Sequence, residues 1–510
     1  MRTRSVLALL PLIAAGLGAA PLRASAALAP VTVGSKAFPE SWVLAEALAI
    51  EMRSAGVPGV QHRNNLGGTE IVFQALRSGA VDVYPEYTGT ILEVILHSPH
   101  LLEIAELRRE LAKQGLGVSD PLGFNDSYAI AVTREARDRY GLRSISDLAA
   151  HPELRLGMTH EFLGRQDGWP GLARHYALRM RNVVGIQHEL AYAALAEGRI
   201  DATDIYTTDA QIERLGLTVL EDDRKFFPRY DAVWLYRLDL ATREPRALAA
   251  MKRLTGRINE ARMIRANARV VLGRVPYPES ADSLLAEVLD RAPATRPAAG
   301  LPDMWASILR NTAQHLKLVA LSLLFAVLVG IPLGILATRS AALGGAILSL
   351  SGLFQTVPSL ALLALLIPLL GIGVLPALVA LFLYSLLPIV RNTYVGLTTI
   401  PAQLAEAAQA IGLSGSARLF RVRLPMASPA IMAGIKTSAV INVGTATLAA
   451  LIGAGGLGEP ILSGIQLRQN SLILQGAIPA AVLALLVQRA FDAMDRIVVP
   501  RGLRLPQDRI

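Results

Sequence analysis

Polar and apolar positions follow two different rules along this chain of 510 residues. Up to about residue 290 the apolar stretches are short and alternate between strand-like and helix-like periods. Val31-Thr32-Val33-Gly34 reads as a strand, Pro39 suits the first turn of a helix, and Leu44, Leu48 and Met52 place an apolar stripe on a helix over 40–52. Gly67-Gly68-Thr69 precedes a second helix that ends near Gly79, and Val81-Asp82-Val83 is the next strand. Further strands are expected at 128–133, 155–158, 200–202 and 232–236. Strands that alternate with helices predict α/β layers.

From Gln314 onward the rule changes to long apolar runs, as bilayer spans require. Spans are expected near 316–337, 347–370, 374–390, 430–452 and 472–491, about five helices, with Pro368, Gly371 and Pro376 softening their boundaries. Residues 305–313 are mildly amphipathic and suit an interfacial position. Residues 291–303, rich in Pro and Ala, read as a semi-rigid tether that extends to about 35–40 Å at roughly 3.1 Å per residue.

The amino terminus adds a compartment. Arg2 and Arg4, the apolar stretch 6–20 and Ala24-Ser25-Ala26 read as a secretory signal over 1–26, which predicts an exported domain over 27–290. An odd number of spans then puts Arg339, Arg391, Arg421, Arg423, Arg496, Arg501 and Arg504 on the cytoplasmic side, with Arg468 the exception in an outer loop. Composition agrees with a membrane protein: 52% of residues are hydrophobic and 18% charged. The net charge of +9 goes with these basic loops, because no nucleic-acid motif is present. The chain has no Cys, which excludes disulfides, thiolate metal sites and thiol catalysis. His160-Glu161 and His188-Glu189 begin like a metalloprotease motif, but Gly164 and Tyr192 stand where the second His belongs, so both pairs are expected at the surface. Gly453-Ala454-Gly455-Gly456-Leu457-Gly458 follows a span rather than a strand and predicts a tight outer turn, not a dinucleotide site. No phosphate-binding loop of the Gly-x-x-x-x-Gly-Lys-Ser/Thr type occurs, and neither a metal nor any other cofactor is expected. Gln355, Asn442 and Thr445, polar within apolar runs, either line a path or bond between helices.

Several motifs carry a resemblance. Gly34-Ser35-Lys36, Asn65-Leu66-Gly67-Gly68-Thr69, Tyr84-Pro85-Glu86-Tyr87-Thr88-Gly89-Thr90, Gly123-Phe124-Asn125-Asp126-Ser127-Tyr128, Glu161-Phe162-Leu163 with Arg165-Gln166-Asp167-Gly168-Trp169, Tyr206-Thr207-Thr208-Asp209 and Phe226-Phe227-Pro228-Arg229-Tyr230-Asp231 occur in order. The series resembles the binding proteins for glycine betaine, choline, carnitine and related osmoprotectants. The membrane half, with Gln355-Thr356-Val357-Pro358-Ser359-Leu360 and 441–448, resembles their permeases. Within it, Glu406-Ala407-Ala408, Gly412 and Leu424-Pro425 resemble the coupling loop of ABC-importer permeases, here residues 401–425.

The resemblance implies a two-lobed α/β periplasmic-binding-protein fold, one lobe holding the segments before about Thr133 and after about Tyr236. An all-α transmembrane domain over 304–510, of the type I ABC importer class, follows. It implies a ligand site of Lys36, Tyr87, Thr90, Tyr128, Arg165, Tyr206 and Tyr230. A quaternary ammonium has no N–H to donate, and aromatic faces hold it at about 0.5–2 kcal/mol per contact. Singly, each Tyr reads as well as a packing residue, and Tyr84 is expected to be structural. Lys36, Arg165 and the Thr90 hydroxyl suit the carboxylate of a betaine or carnitine. The resemblance further implies a homodimeric permease in the lipid bilayer of a bacterial inner membrane, with a separate cytoplasmic ATPase on the two Glu406 loops. Another betaine-like ligand such as ergothioneine, or a ligand-sensing receptor, are the alternatives; the short tail after Phe491 goes against a receptor. No nucleophile–base set points to an enzyme.

Overall fold

The structure, a computed structural model, describes residues 30–98, 103–292 and 301–503. The expected signal segment 1–26 and most of the expected tether lie outside the described residues.

Residues 30–292 form two sheets. The first contains β1 (Thr32–Gly34), β2 (Gln61–Arg63), β3 (Val83–Tyr87), β4 (Leu116–Val118) and β10 (Ala232–Arg237), ordered β2-β1-β3-β10-β4. The second contains β5 (Tyr128–Val132), β6 (Arg155–Thr159), β7 (Asn182–Ile186), β8 (Ala202–Tyr206) and β9 (Thr218–Val219), ordered β7-β6-β8-β5-β9. Each sheet mixes parallel pairs, such as β1–β2 and β6–β7, with antiparallel ones, such as β3–β10 and β5–β8. β3 and β5 are buried along their whole length, as strands covered on both faces must be.

The lobe boundary differs from the expectation. Residues 128–132 belong to the second lobe and 232–237 to the first, so the chain crosses near 119–127 and 220–231, where Asn125 bridges Asp231. An all-apolar run such as Tyr-Ala-Ile-Ala-Val marks a buried strand without saying which sheet receives it. The strand expected at 200–202 begins at Ala202, and the one expected at 81–83 begins at Val83 and runs on to Tyr87.

Helix α1 (Pro39–Ser54) opens with Pro in its first turn and is buried from Pro39 to Met52 on every side, Glu40, Glu46 and Glu51 included. It packs against the helices Pro245–Leu254, Glu260–Val271 and Tyr277–Leu289. This is why its apolar residues exceed a single stripe. Helix α2 (Thr69–Arg77) is amphipathic instead.

The membrane half contains α3 (Leu301–Ala337), α4 (Ala341–Thr356), α5 (Ser359–Leu370), α6 (Val374–Thr398), α7 (Ala402–Ala410), α8 (Leu424–Thr445), α9 (Gly458–Gln466) and α10 (Asn470–Val498). By length and composition four of the described helices can cross a membrane, or five if α4 and α5 form one bent span. The expected span over 347–370 is broken: α4 and α5 meet at 97°, at Val357-Pro358. Pro358 has no N–H for the ladder and holds Val357 extended, with ψ at 126°. The segment 305–313, expected as a separate interfacial piece, is continuous with α3. At 1.5 Å per residue the 37 residues of α3 span about 55 Å, well beyond a hydrocarbon core of about 30 Å. Helix α6 is central and packs against α3, α4, α5 and α8, whereas α10 is peripheral and exposes Ile478, Val482, Leu485 and Leu486.

One apolar cluster joins the two halves. Leu66, Val72, Phe73 and Leu76 of the first lobe share it with Leu318, Leu362, Leu363 and Ile367, and α2 lies against α5. The first lobe therefore rests on the end of the bundle where α5 ends and α6 begins.

Candidate functional site

The seven residues singled out from the sequence line one cavity between the lobes, together with Phe38, Asp126 and Glu161. Lys36, Tyr87 and Thr90 come from the first lobe. Tyr128, Arg165 and Tyr206 come from the second, and Tyr230 from the crossover. The rings nearly fill the space, leaving ≈ 20 Å³. Tyr128 lies 5.1 Å from Tyr206 and 5.7 Å from Tyr230 between ring centroids, edge-on to the latter at 83°. Phe38, which the sequence reading passed over, stacks on Tyr87 at 6.5 Å and on Tyr206 at 6.0 Å and closes the ring of aromatics. Its neighbour Pro39 signals a helix start and says nothing of the side chain before it.

Each polar group in the cavity is held by a second residue. Lys36 Nζ donates to Glu86 Oε1 at 2.5 Å and stands 5.6 Å from the centre of the Tyr87 ring. Arg165 Nε donates to Asp167 Oδ1 at 2.8 Å, a second guanidinium nitrogen reaches Asp167 Oδ2, and Nη2 lies 3.4 Å from Thr90 Oγ1. The Tyr230 hydroxyl donates to that same Asp167 Oδ2 at 2.6 Å, and the Tyr87 hydroxyl to Glu40 Oε1 at 2.7 Å. Burial pushes the Tyr87, Tyr128 and Tyr206 hydroxyls well above their ordinary pKa, so all three are neutral phenols. Gly89 belongs to the construction because a Cβ there would stand 2.6 Å from the Tyr230 ring. Tyr84 lies outside the cavity, fully buried in the cluster beneath the sheet.

Two carboxylates, Glu86 and Asp167, offset the two cations at the cavity wall, and the carboxyl groups of Asp126 and Glu161 also face the cavity. Neutral π-faces with paired cations at one side suit a ligand whose positive end is diffuse and whose other end accepts hydrogen bonds.

His188-Glu189, expected at the surface, is half-buried and buried. His188 Nε2 meets Asp209 Oδ2 at 3.0 Å, and Glu189 is 7% exposed. Burial disfavours the His188 imidazolium, but the charge and hydrogen bond of Asp209 outweigh it and raise its pKa to about 9. The metal-motif test is silent about a pairing with residue 209.

On the far side of the bundle, α7 carries Glu406, Ala407 and Ala408 and ends before Gly412, whose φ of 81° is left-handed. Glu406, Ala407 and Gly412 are exposed and Ala408 is buried. Arg418 Nη1 donates to Gln409 Oε1 at 2.7 Å, which folds the loop back on α7. Leu424 and Pro425 are half-buried in the first turn of α8, and Ile411 and Phe420 project outward, 77% and 67% exposed. Asn442 bonds to Ser322 between α8 and α3, Thr445 bonds within its own helix, and Gln355 is half-buried.

A two-lobed binding protein continued in one chain by an importer permease is the class that this fold and cleft define. The chain belongs to the family of the substrate binding domain of the ABC-type glycine betaine transport system, which residues 29–287 match. Residues 330–503 match the binding-protein-dependent transport system inner membrane component. The chain is 43% identical over 197 residues to the glycine betaine/carnitine/choline transport system permease protein OpuCB of Bacillus subtilis (strain 168), covering 39% of this chain and 91% of that protein. It is 32% identical over 252 residues to the ergothioneine transport permease/ergothioneine binding protein EgtU of Helicobacter pylori (strain G27), covering 48% of this chain and 46% of that protein. A solved structure of a glycine betaine/carnitine/choline ABC transporter protein aligns with 50% of this chain and 98% of its own, at 29% identity and a TM-score of 0.44.

Proposed function

We propose that the chain captures a quaternary-ammonium compatible solute of the glycine betaine, choline or carnitine type and passes it to a permease formed by its own carboxy-terminal half. The observation that carries this reading is the convergence of Tyr87, Tyr128, Tyr206 and Tyr230, from four separate segments, on one cavity that also holds Lys36, Thr90 and Arg165. The rings take the trimethylammonium head, and Arg165, Thr90 and Lys36 take a carboxylate where the ligand has one. In this reading residues 1–26 export the binding domain to the outer face of the inner membrane, and 291–303 tether it. Two copies pair to enclose a pathway. ATP is hydrolysed on a separate cytoplasmic subunit that grips the exposed loop from Glu406 to Gly412.

Ergothioneine is a second reading, favoured by the fused arrangement shared with the Helicobacter relative; it too is a trimethylammonium betaine. Calorimetric titration of the full chain in nanodiscs with glycine betaine, choline, carnitine and ergothioneine is the test. Binding of at least one is expected, and the order of affinities chooses between the readings. No binding by any of the four overturns both.

A further inference from the structure

Behind the cage, a second cavity of ≈ 30 Å³ shares Phe38, Asp126 and Tyr206 with the first and adds Glu40, Thr208, Asp209, His188, Glu189 and Asn267. Three elements meet there at one hydroxyl. Thr208 Oγ1, two residues beyond β8 in the second lobe, lies 2.6 Å from Glu40 Oε2 of the first lobe and 2.8 Å from Asp126 Oδ1 of the crossover. The Thr208 N–H also points at Asp126 Oδ1, at 3.2 Å. Asn267 Nδ2, from the first lobe, donates to Glu40 Oε2 at 2.8 Å and lies 3.3 Å from the Thr208 carbonyl. Glu40, Asp126, Thr208 and Asn267 are all buried, at 4%, 5%, 1% and 5% exposure.

The proton count decides what this cluster is. A threonine hydroxyl donates one hydrogen bond, and here it has a carboxylate oxygen at hydrogen-bond distance on each side. If the hydroxyl donates to Asp126, the contact with Glu40 is attractive only when Glu40 carries a proton and donates it to Thr208 Oγ1. The reverse assignment puts that proton on Asp126. Either way one proton is shared by the pair. Burial pushes the Glu40 carboxyl up, and burial with the charges of Glu40 and Asp209 pushes Asp126 well above the usual carboxylate range.

We propose that Glu40 is a positioning residue of the cage, and that closing the two lobes over the ligand takes up one proton, held between Glu40 and Asp126 at Thr208. The inference rests on the reading of the cleft given above and adds proton linkage to it. Glu40 is placed to act in both directions. Its Oε1 holds the hydroxyl of Tyr87, a cage ring, and its Oε2 holds Thr208 across the cleft. When the lobes part, water reaches the carboxylates and both ionise at neutral pH; when they close, two buried anions facing one hydroxyl repel, and a proton binds. The other groups facing the pair do not neutralise it. From the first lobe these are Tyr87, with Lys36 beyond its ring already paired to Glu86. From the second they are Asp209, Glu189 and His188, the last already paired to Asp209. His188 and Asp209 both belong to the second lobe, so their pairing survives opening and contributes no proton to closure.

The test is the number of protons taken up per ligand bound. Titration calorimetry of the full chain in nanodiscs, in two buffers of different ionisation enthalpy and with the compound that binds in the screen above, is expected to give about one proton for the wild type near neutral pH. Affinity is then expected to fall by up to about tenfold per pH unit as pH rises. Glu40→Gln supplies the hydrogen that the shared proton supplies: its amide N–H donates to Thr208, and a second N–H meets Asn267 Oδ1 after rotation of that amide. The variant is expected to take up no proton and to bind with an affinity that no longer falls with pH. Glu40→Ala, lacking both contacts, is expected to bind weakly at every pH. A proton count of zero in the wild type, or an equal count in Glu40→Gln, overturns the proposal. If none of the four compounds binds, it is the reading of the cleft that falls. The proton linkage, which rests on that reading, falls with it, whereas binding without proton uptake leaves the reading standing and overturns the linkage alone.

Discussion

The cleft and the loop around Glu406 are built on opposite plans. In the cleft, Arg165 is anchored by Asp167, Asp167 by Tyr230, Tyr87 by Glu40 and Lys36 by Glu86, so no cage polar group acts alone. The loop is a short helix with a left-handed stop, tied back by one bond from Arg418 and otherwise open, with Ile411 and Phe420 facing outward. A site made by distant segments is preorganised and sensitive to anything that shifts the fold. A site made by one local segment is a surface awaiting a partner, and its damage stays local.

The largest expected effect separates the two. A Cβ at Gly412 meets nothing within 4 Å, so a side chain there disturbs no packing within this chain and adds only the strain of φ 81°. Gly412→Asp with Glu406→Arg is expected to reduce uptake and ligand-stimulated ATP hydrolysis to background in proteoliposomes containing the partner ATPase. Ligand affinity should stay at the wild-type value. Full activity of the double variant in both assays would remove the coupling role of this loop.

Next comes Arg165, whose side chain is 7% exposed. Arg165→Gln releases Asp167, and through it Tyr230, which weakens every ligand. The loss of charge-assisted bonds to a carboxylate falls on glycine betaine alone and is expected to add about 1.5–3 kcal/mol over the loss seen with choline. Equal losses for the two ligands, measured by calorimetry, would mean that Arg165 supports the cage and does not read the carboxylate.

How far the sequence disclosed these sites follows from the same contrast. The seven cleft residues sit in short motifs, each of which could be matched without knowing its neighbours in space. Their supports could not be matched this way: Glu40 and Thr208 are 168 positions apart, and such a pair leaves no period and no spacing to read. Glu40 stands in the first turn of α1, where the helix dipole favours any acidic residue, so nothing in the sequence singles it out. Glu406 to Ile411 are good helix formers and Gly412 sits where a helix would end, so the helix found at Ala402–Ala410 was legible in part, because propensity and capping are local properties. The bent span was not legible: the softening was expected at Pro368, Gly371 and Pro376, whereas the break falls at Val357-Pro358, and the 97° turn depends on what α5 packs against.

A third experiment probes the cage rings singly. Tyr206 touches Tyr128, Phe38 and His188, with centroids 5.1, 6.0 and 4.8 Å away, so its face is one wall of the cavity and its hydroxyl, 3.4 Å from that of Tyr128, bonds only weakly. Tyr206→Ala is expected to weaken binding of a trimethylammonium ligand by about 1–2 kcal/mol, about tenfold, and Tyr206→Phe to recover most of it. Unchanged affinity in Tyr206→Ala and Tyr230→Ala alike would dismiss the cage.

The smallest effect sharpens the comparison inside the membrane. Asn442 and Ser322 are both fully buried, and Asn442 Nδ2 donates to Ser322 Oγ at 3.0 Å between α8 and α3. Geometrically this contact is as good as the bonds around Glu40. Its energetic setting differs. When the lobes of the binding domain part, the groups around Glu40 exchange each other for water. When helices separate within a bilayer, a polar side chain finds new partners in its own backbone or a neighbouring helix, so little is lost. Neither Asn nor Ser changes charge, which removes the electrostatic part as well. A double-mutant cycle of Asn442→Ala and Ser322→Ala, read by unfolding in micelles, is therefore expected to give a coupling of only about 0.6 kcal/mol, with uptake unchanged. Retained stability together with lost uptake in Asn442→Ala would instead place this side chain on the translocation path, the other role that a polar residue inside an apolar run can have.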